Sequence, residues 1–215
     1  MRMCASGETR GPTLQHRQYR QRRRSAYHEA GHVSVGVAVG LGIPMAIEMD
    51  PSGESLARTR WNCDVLAVPM EQRERVALHL LAGYVAECRV RGWRRVNAVR
   101  YCARRSYWID GHPLDVAALP SGWLQHSDGD RVALLYSSTH QPRVLTDALL
   151  INLWNSTAQV VDTPLVWAAI EDLAGTVLVH DGVDRDGLFR WLDRNTALDG
   201  CAVQRDSFLP DARPR

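Results

Sequence analysis

Apolar residues recur along much of this chain at the three- and four-residue spacing of a helix facing a core. Over "VALHLLAGYVAECRV", Val76, Leu80 and Tyr84 form one stripe, and Leu81, Val85 and Cys88 a second beside it. Pro69 stands at the first-turn position of that segment, and Glu71 and Glu74 suit the positive end of its dipole. Further on, Val166, Ile170, Leu173 and Val177 line one side of "PLVWAAIEDLAGTVLV", Pro164 to Val179. Helices are also expected near Val96–Arg104, from "HSDGDRVALLYSS" with Ser127 or Asp128 as its cap, over Thr146–Val161, and in "DGVDRDGLFRWLDRN". Near the start, Ser25 is the expected N-cap of a helix that holds His28 at its third position and stops at about Gly40, where Gly and Pro follow. Strand signals are few: Ala46–Met49 and Leu56–Trp61 flank Asp50-Pro51-Ser52-Gly53, a turn by composition, and predict one small hairpin. The pattern predicts a mainly α fold.

Composition adds boundaries. The chain has 215 residues, 45% of them hydrophobic and 23% charged, the mix of a single globular domain with an ordinary core. The net charge of +2 hides an asymmetry: residues 1–24 carry seven Arg and one acid, so the remainder is at −4. Residues 1–24 are therefore expected to be a basic disordered arm, 25–198 the domain, and 199–215 a flexible tail. Within the domain, residues 89–126 mix Arg, Trp and Tyr with Gly and Pro and read as an insertion. The five cysteines include no CxxC pair, no secretory leader pattern opens the chain, and the most apolar run, Val33–Ile47, is short for a membrane span. A reduced, cytoplasmic protein is the simplest reading.

The chemistry concentrates in HEAGH, His28 to His32. Positions i and i+4 share one face of a helix, so both imidazoles project the same way, as a zinc ion requires. Glu29, beside the first imidazole, is placed to take a proton from a metal-bound water. Ala30 and Gly31 are small enough for another element to approach closely. HExxH fixes only three letters, and a histidine pair on a helix is otherwise a partner-satisfied surface feature.

"AYHEAGHVSVG" resembles the zinc-peptidase signature of the FtsH family of ATP-dependent metalloproteases, and "LLAGYVAECRV" resembles that family's second peptidase helix. The motif order over residues 25–195 is similar. The resemblance implies an FtsH-peptidase-like helical zincin fold, one Zn2+, and peptide hydrolysis with Glu29 as general base. It also implies a third ligand, an Asp at the start of a later helix. Asp128 in "HSDGDRVALL" fits that pattern best, with Asp130 the near alternative and Asp115 a distant one. The sequence departs from the family in having no GxxxxGK[ST] loop and no spanning segment, and in a longer interval before the Asp-bearing helix. A stand-alone peptidase relative is expected, acting on unfolded or flexible polypeptide and fed, if at all, by a separate ATPase or adaptor.

Glu87 offers a carboxylate to orient His28 or His32 from outside the ligand set, against the reading of a plain surface Glu. The Arg and aromatic residues of 89–126 (Trp93, Arg94, Arg95, Tyr101, Arg104, Arg105, Tyr107 and Trp108) suit single-stranded nucleic acid by charge and stacking. The commoner use of such a mix is a loop that packs its aromatics and solvates its Arg heads. The alternative to an enzyme is a non-catalytic module on the same fold, contacting protein or nucleic acid through the arm and insertion.

Overall fold

The computed structural model describes residues 14–49, 58–60, 68–93, 96–103, 128–137 and 146–201. Its helices are α1 (Leu14–Ala38), α2 (Arg73–Val90), α3 (Ala98–Ala103), α4 (Asp128–Ser137), α5 (Asp147–Val161), α6 (Pro164–His180) and α7 (Arg185–Arg194). Three short strands, β1 (Ala46–Glu48), β2 (Arg58–Arg60) and β3 (Gly182–Val183), form one antiparallel sheet in the order β2-β1-β3. The described part is thus mainly α, with a small sheet.

α1 and α2 make the central pair, and α6 packs on α1 while α4 and α5 pack on α2. The pair runs antiparallel: Arg24 meets Glu87, and His32 meets His79. Both apolar stripes of α2 are used, and every residue from Val76 to Cys88 is buried. The α6 stripe of Val166, Ile170, Leu173 and Val177 is buried as its spacing predicts. Trp191 of α7 closes the far side; it is fully buried and its indole N–H donates to the Ala169 carbonyl. Thr146 caps α5 by accepting from the Leu149 amide, and Asp184 caps α7 by accepting from the Gly187 amide.

Three expectations need correction. Ser25 is not an N-cap; it lies inside α1, and its hydroxyl donates to the Gln21 carbonyl. Residues 14–24 of the expected disordered arm are helical. Arg and Gln are good helix formers, no Gly or Pro interrupts them, and the packed half of α1 supplies the nucleus, so each added residue costs only propagation. Arg22 and Arg24 also find acids on the body, at Asp181 and Glu87. Finally, the hairpin is part of a larger sheet: β1 pairs with β2 in the register Ala46↔Arg60, and also with β3, Ile47↔Val183. α6 ends at Asp181 in the left-handed region (φ 56°), and Gly182 follows at φ 145°. A Cβ at Gly182 would stand 2.7 Å from the Ile47 carbonyl oxygen, so only glycine lets this strand close on β1.

α2 takes Arg89 and Val90 from the expected insertion, and α3 falls at its expected short helix. The Asp50–Gly53 turn, Asp115, Ser127, Arg94, Arg95, residues 104–126 and the tail from 202 lie outside the described residues. No helix among the described residues is long and apolar enough to cross a membrane.

Candidate metal centre

Two glycines bring α1 and α2 together at the site. A Cβ on Gly31 would stand 2.7 Å from the Ala82 carbonyl oxygen and 2.9 Å from the Ala86 Cβ. A Cβ on Gly83 would stand 2.6 Å from His32 Nε2 and 2.8 Å from the His28 ring. The Ala-Gly segment of α2 is therefore the floor under both imidazoles, and Tyr84 packs its ring edge-on to His28 at 5.2 Å.

α4 begins with Asp128 directly at the imidazoles. Asp128 Oδ2 lies 3.0 Å from His28 Nε2 and 3.2 Å from His32 Nε2, and the two nitrogens lie 3.1 Å apart. His28, His32 and Asp128 are the group among the described residues that could hold a metal ion. The donor set fits zinc in size: with Zn–N and Zn–O bonds of about 2.0–2.1 Å, a tetrahedron has edges of about 3.3 Å. Its chemistry fits as well. The Nδ1–H of His32 donates to the His79 carbonyl at 2.8 Å, which turns the Nε2 lone pair toward the other two donors. Three lone-pair atoms this close need a proton or a metal cation between them.

The electrostatics point the same way. Burial alone would lower the pKa of His32, yet the Asp128 carboxylate, by charge and by hydrogen bond, raises it to about 9. Burial likewise opposes ionisation of Asp128, but His32 and His28 hold its carboxyl well below the usual range. The pocket is built to keep one positive charge beside one carboxylate.

Glu29 stands next to this set without belonging to it. It is 5% exposed, its Oε2 accepts a 2.6 Å hydrogen bond from Thr59 Oγ1 of β2, and burial raises its pKa. Asp130 is 1% exposed but is not part of the three-residue group. Glu87 is buried rather than a surface residue. Its Oε2 lies 3.9 Å from His28 Nδ1, too long for a hydrogen bond, while Oε1 accepts from Arg24 at 3.1 Å and Arg91 at 3.3 Å. It faces His28 as a charge, not as a bonded orienter.

Sequence reasoning passed over His79, Thr59 and Gly83. The ring Nδ1–H of His79 donates to the His32 carbonyl at 2.9 Å, returning the bond that the His79 carbonyl receives. Signals existed for all three. His79 and Gly83 are i,i+4 on α2 and share the face toward α1. Thr59 sits between Arg58 and Arg60, and strand alternation turns it inward.

No known protein family's sequence profile matches the chain, and no curated protein matches it. The fold and site define a mainly helical domain in which His28, His32 and Asp128 form a group able to hold a metal ion, with a buried glutamate beside it.

Proposed function

We propose that this protein is a zinc-dependent metallopeptidase, a relative of the FtsH-type peptidase domain, with His28, His32 and Asp128 as ligands and Glu29 as general base. One observation carries the reading: three donor atoms converge at 3.0–3.2 Å while the adjacent Glu29 stays outside the set, tied to Thr59. Glu29 is bonded to Thr59 and not to a ligand, so it is not held as a ligand orienter, and hydrolysis needs a proton acceptor at that place.

When bound, zinc supplies a Lewis acid for the scissile carbonyl and lowers the pKa of water toward neutral. The chain's own residues do the rest. Glu29 accepts the proton of the attacking water on a carboxylate oxygen and passes it to the departing amine nitrogen. Its burial moves its pKa upward from the ordinary carboxylate value, toward the range where a base works best near neutral pH. Thr59 fixes the carboxylate, and the His79 carbonyl fixes the His32 tautomer. His28 and Asp128 keep part of their side chains open to solvent, so a flexible segment of polypeptide has an approach.

The test is Glu29→Gln, assayed on casein or a peptide library. The variant should keep its metal and its fold, and hydrolysis should fall by roughly 10²–10⁴-fold. Equal cleavage by both proteins assigns the activity to a contaminant. Wild-type protein that holds metal but cuts no unfolded substrate near neutral pH leaves the non-catalytic binding module as the better reading.

A further inference from the structure

Away from the metal centre, a cavity of about 560 Å³ opens between α2, α5 and the turn that follows α2. Ligand pockets run from about 300 to 1,000 Å³. Val85, Val96 and Ala158 supply apolar lining, and Trp93 and Trp154 line it with indole rings. Trp93 is 46% exposed, and the Arg91 guanidinium lies 3.9 Å over its ring. Trp154 is buried and braced by Tyr101, with ring centroids 5.5 Å apart. Arg89 stands at the edge, paired with Asp162 at 2.6 Å.

A ladder of cations and rings joins this edge to α1. Arg89 lies 4.0 Å over Trp167, Trp167 packs 5.7 Å from Tyr27, and Arg23 lies 5.5 Å over Tyr27. At about 100° per residue, Arg17, Arg20, Arg23 and Arg24 share the side of α1 that carries Tyr27. Arg17, Arg20 and Arg23 are exposed and have no carboxylate partner among the described residues. The strip carries six arginines, Arg17, Arg20, Arg23, Arg24, Arg89 and Arg91, and two carboxylates, Glu87 paired with Arg24 and Arg91 and Asp162 paired with Arg89, a net of +4. Arginines this close on one helix repel each other, and a polyanion relieves that repulsion.

We propose that single-stranded nucleic acid binds this end of the bundle, with one base in the Trp93–Trp154 cavity and its phosphates along the arginine strip. Charge alone would suit an acidic polypeptide equally. The aromatic cavity decides the choice, because a planar base stacks on an indole and a carboxylate side chain has no use for one. A duplex keeps its bases paired and cannot offer one to the cavity. This proposal does not depend on the metal centre or its reaction.

The test is fluorescence anisotropy of a labelled oligothymidylate, about 15 nucleotides long, titrated with the full chain. Binding should weaken with salt at a logarithmic slope of about −3, from roughly four neutralised phosphates. Trp93→Ala should weaken binding about five-fold or more, and Trp93→Phe should restore most of the loss. Arg17→Gln with Arg20→Gln, both on the exposed part of α1, should make the salt slope shallower by about one. Circular dichroism checks that each variant is folded. The proposal is overturned by no binding at low salt, or by a folded Trp93→Ala variant that binds as wild type does. It is equally overturned by duplex binding as tight as single strand, or by polyglutamate displacing the oligonucleotide at equal charge.

Discussion

His32 and His79 hold each other by a reciprocal pair of hydrogen bonds: the ring of each donates to the other's backbone carbonyl, at 2.8 and 2.9 Å. This clasp ties α1 to α2, and the His79 carbonyl orients the His32 ring. Replacing His79 by Leu keeps an apolar body of similar reach but removes the donor to His32. The bond that orients the ring is to the backbone at position 79 and survives, so zinc affinity should fall by less than the roughly 10–100-fold that loss of a ring partner costs, with the stoichiometry unchanged. Competition against a chelator measures it; unchanged affinity would mean that the His79 backbone alone sets the ring.

The same pair predicts the pH dependence of the metal-free protein. Burial, and then the charge of His32, lower the pKa of His79 to about 3. Unfolding therefore takes up a proton below the ordinary histidine value of about 6.5, and stability falls as pH drops from there toward 3. His32 has the opposite sign. Its pKa is raised to about 9, so its contribution is complete below about 6.5 and is lost as pH rises through 9. Glu29, with its raised pKa, contributes a further fall with rising pH above the ordinary carboxylate range, so Glu29→Gln is the background to use. In that background, metal-free stability should peak near pH 6.5. Zinc bound at this site would displace the His32 proton and should flatten the alkaline side. Denaturant titrations across pH, with and without metal, check both limbs.

Asp128 and Asp130 are two residues apart, and substitution should separate them. Asp128→Asn removes a charged donor from the three-residue group and should abolish tight zinc binding. Asp130 is buried at 1% exposure outside that group, so Asp130→Asn should lower the melting temperature while metal content stays at about one per chain. Elemental analysis and thermal melts on the two variants give the comparison. Equal loss of metal from both would move the third ligand away from Asp128.

Glycine-to-alanine changes at the α1–α2 contact should divide in the same way. Gly83→Ala puts a methyl group 2.6 Å from His32 Nε2, against side-chain rings rather than backbone. It should remove metal binding with a small stability change, because alanine gains about 1 kcal/mol of helix propensity over glycine. Gly31→Ala meets the Ala82 backbone carbonyl, which cannot tilt away, and should cost about 1–3 kcal/mol through overpacking. Paired measurements of zinc affinity and unfolding free energy distinguish the two.

The helical periodicities were legible because burial on one face imposes the 3.6-residue period on the sequence itself. The stripes Val76–Leu80–Tyr84 and Val166–Ile170–Leu173–Val177 are both buried where their spacing puts them. The start of α1 was not legible. Residues 14–24 bury almost nothing, so they carry no periodic signal, and their charge reads as a solvated arm. β3 was invisible for a related reason: two residues have no period, and Gly182–Val183 become a strand only because β1 passes beside them.

Within the site, the sequence alone determined that His28 and His32 share a face with Glu29 beside them, because i,i+4 spacing is a property of a single helix. The resemblance to the FtsH-type signature, not the sequence alone, implied an aspartate at the head of a later helix, with Asp128 first, Asp130 the near alternative and Asp115 a distant one. Only the tertiary structure brought Asp128 Oδ2 to within 3.2 Å of both imidazoles, put His79 against His32, and turned Thr59 onto Glu29. Those contacts join residues 30, 47 and 100 positions apart. Local spacing does not encode such distances; they follow from how closely two glycines let α1 and α2 approach and from where α4 then meets them.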